Sequence, residues 1–395
     1  MGLAVYVHIP YCLQRCRYCD FTTFEWSEIL PPEKYIGWVK QEIRLRHKFW
    51  RQTEIDTLYF GGGTPSLLSP ELIVSVRQEL ANVGFIFVKD CETTLEINPA
   101  TLTEEKLNGY IAAGFNRFSV GAQSFNDALL KVCGRKHNAD DTRETLRLLR
   151  KYDLNYSFDL LFALPGQTLR DLELDLVEVS RFQPPHLSAY CLTVPEGHPM
   201  SQGRPLEDEQ VEMFDLIERE LQTIGLLKYE ISNFAKVGFE SRHNLVYWRD
   251  RSYWGLGLSS HSYDRDAGEF GMRFWNPKNL DIYGEQVAHN ASDFRGVLPP
   301  AQRESLAGHE ALSDFCHIFL RTHAGLPEQD LQAKFTAPTV ALVHARLNSL
   351  TQRGFVERFD RAWRLTARGQ LLSNQVFAEL SFSSTDFSTG AEIVG

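Results

Sequence analysis

Over the first 230 residues, short runs of apolar, β-branched and aromatic residues alternate with longer segments of helical period. The runs fall at 4–9, 55–60, 94–97, 117–120, 156–161 and 186–190, and they carry the residue types that fit a pleated, half-buried surface. Between the first two, Pro31-Pro32-Glu33 opens a helix, since proline suits the first helical position. Ile36, Val39 and Ile43 then form one apolar face of that helix. A helix near 207–225 repeats Val211, Phe214, Ile217, Leu221 and Ile224 at the same period. Six strand–helix repeats call for a parallel sheet with right-handed crossovers, open or curled into a full or partial barrel. In either form the chemistry belongs in the loops after the strands.

From 227 to 290 the alternation fades and Gly, Tyr, Trp and Asn become frequent, which reads as an extension packed on the sheet. The chain punctuates itself at Val297-Leu298-Pro299-Pro300. From about 303 to 380 it becomes a small, mainly helical module ending in Gly354-Phe355-Val356-Glu357 and Trp363-Arg364-Leu365-Thr366, and it resembles a winged-helix-like domain. The expected organisation is therefore an α/β core over 1–230, an extension over 231–298 and a helical module over 299–380. A Ser/Thr-rich mobile tail completes it over 381–395.

Composition narrows the function classes. The chain has 395 residues, 43% of them apolar and 23% charged, with a formal net charge of -10. That is the make-up of an ordinary soluble globular protein. It argues against a nucleic-acid partner, which would need a field of Lys and Arg. No apolar run approaches the roughly 18 residues that would span a bilayer, and the first residues lack the basic region of a secretory signal. A cytoplasmic location is expected. Of seven cysteines, Cys12, Cys16 and Cys19 fall within eight residues, and in a reducing compartment such a cluster points to metal binding.

The first strand runs straight into Cys12-Leu13-Gln14-Arg15-Cys16-Arg17-Tyr18-Cys19. Soft thiolates at this spacing suit a [4Fe-4S] cluster with one iron left open, or a zinc ion completed by His8. Cys91, Cys133, Cys191 and Cys316 are scattered and read as small core residues. Further on, Gly61-Gly62-Gly63-Thr64-Pro65 follows the second strand, where backbone amides can approach a charged ligand closely. Glu96 ends the third strand, Gln123 follows the fourth, and Arg135 lies beyond it. Asp159 is an acid within an apolar fifth strand, and it needs a ligand or a basic neighbour if buried.

The C-x3-C-x2-C loop at the end of the first strand resembles the signature of radical S-adenosylmethionine (SAM) enzymes. The order of polar residues on later strands is similar to the SAM site of the oxygen-independent coproporphyrinogen oxidase branch. The resemblance implies a partial (β/α)6 TIM-like barrel. It implies a [4Fe-4S] cluster on Cys12, Cys16 and Cys19, and SAM held by Tyr6, Gly62, Gly63, Thr64, Glu96, Gln123, Arg135 and Asp159. Two departures point away from the decarboxylating oxidases. Phe21 stands where those enzymes have a further cysteine, and the chain begins only a few residues before His8-Ile9-Pro10. His243-Asn244-Leu245-Val246-Tyr247-Trp248 is instead similar to a motif of the heme-chaperone relatives, which implies heme as cargo with His243 as an iron ligand. His261 is a second, weaker ligand candidate, and core packing is the competing reading for both histidines. The expected function is a heme chaperone serving acceptor hemoproteins, among them membrane-associated respiratory proteins, with a homodimer as a further expectation. The alternative is a radical SAM coproporphyrinogen oxidase.

Overall fold

A computed structural model describes residues 2–288 and 300–391. The chain begins with β1 (Leu3–Ile9), β2 (Tyr11–Cys12) and β3 (Phe24–Glu25), and continues through α1 (Pro32–Arg46), β4 (Glu54–Gly62), α2 (Pro70–Asn82) and β5 (Ile86–Ile97). Next come α3 (Glu104–Ala112), β6 (Arg117–Gln123), α4 (Asp127–Val132), α5 (Ala139–Lys151) and β7 (Asn155–Phe162). The series closes with α6 (Leu169–Phe182), β8 (His186–Cys191) and α7 (Glu207–Thr223). β1, β4, β5, β6, β7 and β8 lie side by side in parallel, which is the expected partial barrel. The outward positions of β1, Val5, Val7 and Ile9, are fully buried against the helices, as parallel strands covered on both faces must be.

The strand boundaries follow the sequence pattern except in β5. It starts eight residues before the expected Thr94, at Ile86. Its first half, with Lys89 and Asp90, is too polar to announce a strand, and its pairing with β4 skips from Phe87 to Glu92 across a bulge. On α1, Ile36, Val39 and Ile43 are buried as the period requires. On α7 the buried face is Met213, Leu216, Ile217 and Leu221, while Val211 is exposed. Among the scattered cysteines, Cys191 is exposed at the end of β8 beside Arg204, in contrast to buried Cys91, Cys133 and Cys316.

The extension packs on the sheet through the helix over Arg242–Trp248, whose His243 bonds Thr57 at 2.8 Å, and it also enlarges the sheet at both edges. β9 (Leu227–Lys228) and β10 (Asn233–Ala235) add antiparallel strands beyond β8. α8 (Arg242–Trp248) follows, and then β11 (Tyr253–Leu256) pairs in parallel with β1. β12 (His261–Asp264), β13 (Met272–Trp275), α9 (Leu280–Ala288) and β14 (Arg303–Ser305) complete this side, giving a sheet of twelve strands. The boundary expected at 298 lies outside the described residues. Beyond it, a helix over Gly308–Leu320, strand β15 (Leu326–Pro327), helices over Glu328–Lys334 and Ala337–Gln352, and strands β16 (Val356–Phe359) and β17 (Ala362–Leu365) build the winged-helix arrangement around a separate apolar core. The segment after Leu380 carries a helix over Ser384–Ala391, with Asp386 accepting from Ser383 N–H at 2.8 Å and paired with Arg346 at 2.7 Å. The Ser/Thr-rich composition does not announce that order.

One buried carboxylate joins the extension to the barrel. Glu42 on α1 accepts hydrogen bonds from Gly257 N–H, Tyr283 Oη–H and Asn276 Nδ2, each at 2.8 Å, and from Arg46 one turn away. Beside it, Tyr35 Oη donates to the His8 carbonyl at 2.8 Å and accepts from Leu258 N–H at 2.9 Å. Removing one partner of a buried ion pair leaves an uncompensated charge, which costs about 3–5 kcal/mol. Glu42→Ala should lower the unfolding free energy by about that much in denaturant titration, while Glu33→Ala, at an exposed site on the same helix, should change it by less than about 0.5 kcal/mol.

Candidate functional site

The side chains of Tyr6 and His8 project from β1 toward the barrel interior, where both line a cavity of about 520 Å³. His8 Nε2 lies 2.8 Å from the Thr22 carbonyl, which can only accept, so that nitrogen carries the proton. Nδ1 is left to accept from Tyr6 Oη at 3.2 Å. Burial pushes the His8 pKa down to about 4. With both nitrogens engaged, His8 has none to offer a zinc ion.

The loop carrying the cysteines is bracketed by the parallel pairing of β2 with β3 and by Phe24 N–H on the Pro10 carbonyl at 2.8 Å. The glycine loop after β4 is bonded directly to it. Gly63 N–H reaches the Ile9 carbonyl at 2.8 Å and Thr64 N–H the Tyr11 carbonyl at 2.7 Å. A Cβ on Gly63 would stand 2.6 Å from the Tyr11 carbonyl oxygen, so no side chain fits there. Gly62 has φ +104, a conformation natural to glycine alone, and its missing Cβ makes room for the His8 ring. Thr64 Oγ1 lies 3.9 Å from Cys12 Sγ. Across the loop, Arg135 places Nη1 3.4 Å from Cys16 Sγ and Nη2 2.7 Å from the Gly121 carbonyl. His137, whose Nδ1 accepts from Arg135 Nε at 3.2 Å, backs that guanidinium.

The Cys12 thiol is pushed up to about 11, first by burial and further by Cys16 and Cys19. Burial likewise raises Cys19, with Cys16 adding to it. The two raised thiols, Cys12 and Cys19, become thiolates readily only beside added positive charge, which the irons of a cluster would supply. Among the described residues no three His, Cys, Asp or Glu side chains close on a point that one metal ion would fill.

Glu96 faces this loop from the end of β5. It accepts from Tyr59 Oη at 2.8 Å and from Gly62 N–H at 3.1 Å, and burial raises it to about 7, with Asp159 adding to the rise. Gln123 ends β6 in the left-handed region at φ 68, buried, where the pairing with β7 slips. Asp159 is raised to about 6 by burial, opposed by a hydrogen bond with Ser188 and by the charges of Arg117 and Arg135. These are the basic neighbours that a buried acid demands. Tyr6, Gly62 and Glu96 meet on the cavity wall, whereas Gln123 and Asp159 lie off its lining.

His243 enters the same cavity from α8, whose first amides are capped by Glu92. It is only 2% exposed. Nδ1 is 2.8 Å from Thr57 Oγ1, Nε2 is 2.9 Å from Tyr247 Oη, and the ring stacks on Tyr59 at 5.0 Å. Burial pushes its pKa down to about 3. In this arrangement no ring nitrogen is free for iron. Tyr59, which touches both Glu96 and His243, was not singled out from the sequence. Its signal is the alternation in β4, where Thr57 and Tyr59 face inward between outward Leu58 and Phe60. Phe21, two residues beyond Cys19, stands 62% exposed at the cavity.

Residues 6–177 match the Radical SAM superfamily, and this defines the class: a radical SAM protein, whose family chemistry implies an iron–sulfur cluster and SAM. The fold is that of coproporphyrinogen III oxidase (HemN) from Escherichia coli, a radical SAM enzyme, with a TM-score of 0.80 at 22% identity, covering 96% of this chain and 90% of that one. Among curated proteins, the heme chaperone HemW of Bacillus subtilis is 32% identical, with 95% of this chain and 98% of the relative aligned. The heme chaperone HemW of Buchnera aphidicola subsp. Schizaphis graminum is 34% identical over 95% of this chain and 97% of its own. The chain belongs to the HemW family. No helix among the described residues is long and apolar enough to cross a membrane.

Glu96 makes the ligand-free protein sensitive to pH. Its folded pKa of about 7 lies above the ordinary 4.5, so the folded state keeps a proton that the unfolded state has released. Stability therefore falls as pH rises from about 4.5 to about 7 and then levels off. Denaturant titrations at pH 5 and pH 8 should show Glu96→Gln removing about 2 kcal/mol of that fall; equal slopes in both proteins would show that Glu96 is not the group responsible.

Proposed function

We propose that this chain is a heme chaperone: it binds heme, holds a [4Fe-4S] cluster with SAM, and passes heme to acceptor hemoproteins from the cytoplasm, some of them at the respiratory membrane. The observation that carries the reading is a cavity of about 520 Å³ that starts beside the thiol loop and is walled by aromatic rings. Its size is that of a small-molecule site. The HemW relatives, aligned over nearly the whole chain, support the same reading.

In this reading Cys12, Cys16 and Cys19 ligate the cluster and Arg135 counters thiolate charge at Cys16. When bound, the cluster and SAM together supply one-electron chemistry. The residues of this chain bind and orient. Gly62, Glu96 and Tyr6 face the cavity, while the Gly63 and Thr64 amides hold the glycine loop against the strand end that leads into the cysteines. Ionised Glu96 suits an ammonium group, and binding one would pull its pKa back down.

Coproporphyrinogen oxidation is the second reading, favoured by the retained Glu96, Arg135 and glycine loop. One anaerobic experiment separates the two. With reconstituted cluster, SAM, a reductant and coproporphyrinogen III, the carrier should form no protoporphyrinogen over many equivalents of substrate while binding heme stoichiometrically. Product at multiple turnovers would replace the chaperone reading with the oxidase. Replacing Cys12, Cys16 and Cys19 together by Ser should abolish the brown colour and bring iron and sulfide below about a tenth of the wild-type content in anaerobically purified protein.

A further inference from the structure

A groove of about 810 Å³ opens at the edge of the sheet where β9 is the last strand, and it shares no residue with the cavity beside the cysteine loop. No strand among the described residues pairs with the outer side of β9, so that side is open to a further strand. The floor of the groove is already built. His323 N–H, from the helical module, donates to the Tyr229 carbonyl at 2.9 Å, while Lys228 Nζ donates to Glu218 Oε2 at 2.9 Å and Gln370 Oε1 at 2.7 Å. The walls hold apolar side chains in water: Leu227 is 49% exposed, Val237 82%, and Phe359, the last residue of β16, 54%. Exposed apolar groups gathered in one groove mark an interaction site.

Charge says what fits there. α7 carries seven carboxylates and a single cation, Arg219. Asp208, Glu212, Asp215 and Glu218 recur at helical spacing, and this row ends in the groove wall at Glu218. Glu212 and Asp215 are exposed and have no cationic partner among the described residues. Glu240 and Asp360 add acids to the lining, where Lys228 is already paired and Arg249 is the only arginine. We propose that the groove docks an extended, basic segment of a protein partner in which lysine or arginine alternates with apolar residues. The segment continues the sheet beyond β9, sets its apolar side chains against Leu227, Val237 and Phe359, and turns its cations toward the row on α7. Only the identification of that partner with an acceptor protein rests on the chaperone reading; the docking site stands without it.

Fluorescence anisotropy of labelled octapeptides titrated with the full chain tests the site. An alternating lysine-valine octapeptide should bind in low salt and lose about tenfold in affinity as salt screens the exposed charges. A lysine-serine octapeptide, equal in charge but without apolar side chains, and a glutamate-valine octapeptide should each bind about tenfold more weakly. Two double variants divide the contributions, and all four positions are exposed. Val237→Ser with Phe359→Ser should weaken lysine-valine binding about tenfold and keep its salt dependence, whereas Glu212→Lys with Asp215→Lys should weaken it as much and flatten that dependence. Bound peptide should also slow amide exchange at Leu227 and Lys228. Absence of lysine-valine binding to wild type, equal affinity for the lysine-serine peptide, or unchanged affinity in both double variants would overturn the proposal. Heme titration of the same protein reports on the chaperone reading separately, so either can fail alone.

Discussion

The carboxylate of Glu42 is the constraint on which the architecture of the site rests. It lies in the seam between α1 and the extension, without exposure, and meets four donors from three parts of the chain: Arg46, Gly257, and Asn276 with Tyr283. An ion buried this deeply gains little net stability from its pairing. Its hydrogen bonds fix Gly257 and Asn276 against α1. That placement positions Ser259, Ser260 and His261, and with them one wall of the cavity. β11 reaches its place beside β1 on the same terms, and so the sheet continues past the first strand that a six-stranded barrel would leave as an edge.

The interior is otherwise provisioned with negative or potentially negative groups. The three thiols, Glu96 and Asp159 lie toward the same ends of the barrel strands, with Arg135 near Cys16 and Arg117 and Arg135 acting on Asp159. Burial holds the acids toward neutrality in the ligand-free chain, with Glu96 and Asp159 raised to about 7 and 6. A cluster and a cationic nucleotide would reverse each of those shifts by bringing the missing positive charge. The site therefore carries its affinity as unfavourable electrostatics that binding relieves.

The six parallel strands and the position of the thiol loop were readable because period and spacing are local properties. Glu42 and Arg46 share the stripe of Ile36, Val39 and Ile43, so their burial was visible in the period although their partners were not. Those partners lie more than 200 residues away, in a stretch whose Gly, Tyr and Trp content carries no period. The same distance hid the pairing of Tyr253–Leu256 with β1. On α7 the period was right but the face was misjudged, because Met213 and Leu216 compete with Val211 and Phe214 for one stripe and only tertiary packing decides between them. The polar start of β5 and the exposure of Cys191 at the end of β8 are similar cases in which neighbours override composition.

The two histidines show most sharply where reading a motif stops. His243 stands in a run with Asn244, Tyr247 and Trp248, and that company made it the natural ligand. Yet a histidine on the first turn of a helix, with a tyrosine one turn later on the same face, is also the pattern of a side chain satisfied by its own helix. In the structure Tyr247 takes one nitrogen and Thr57 the other. His261 lies near the end of the run from Tyr253 to Ser262, and its surroundings come from strand pairing, which stacks Trp275 beside it. A ligand must combine a free lone pair with access, and both are properties of exposure rather than of spacing.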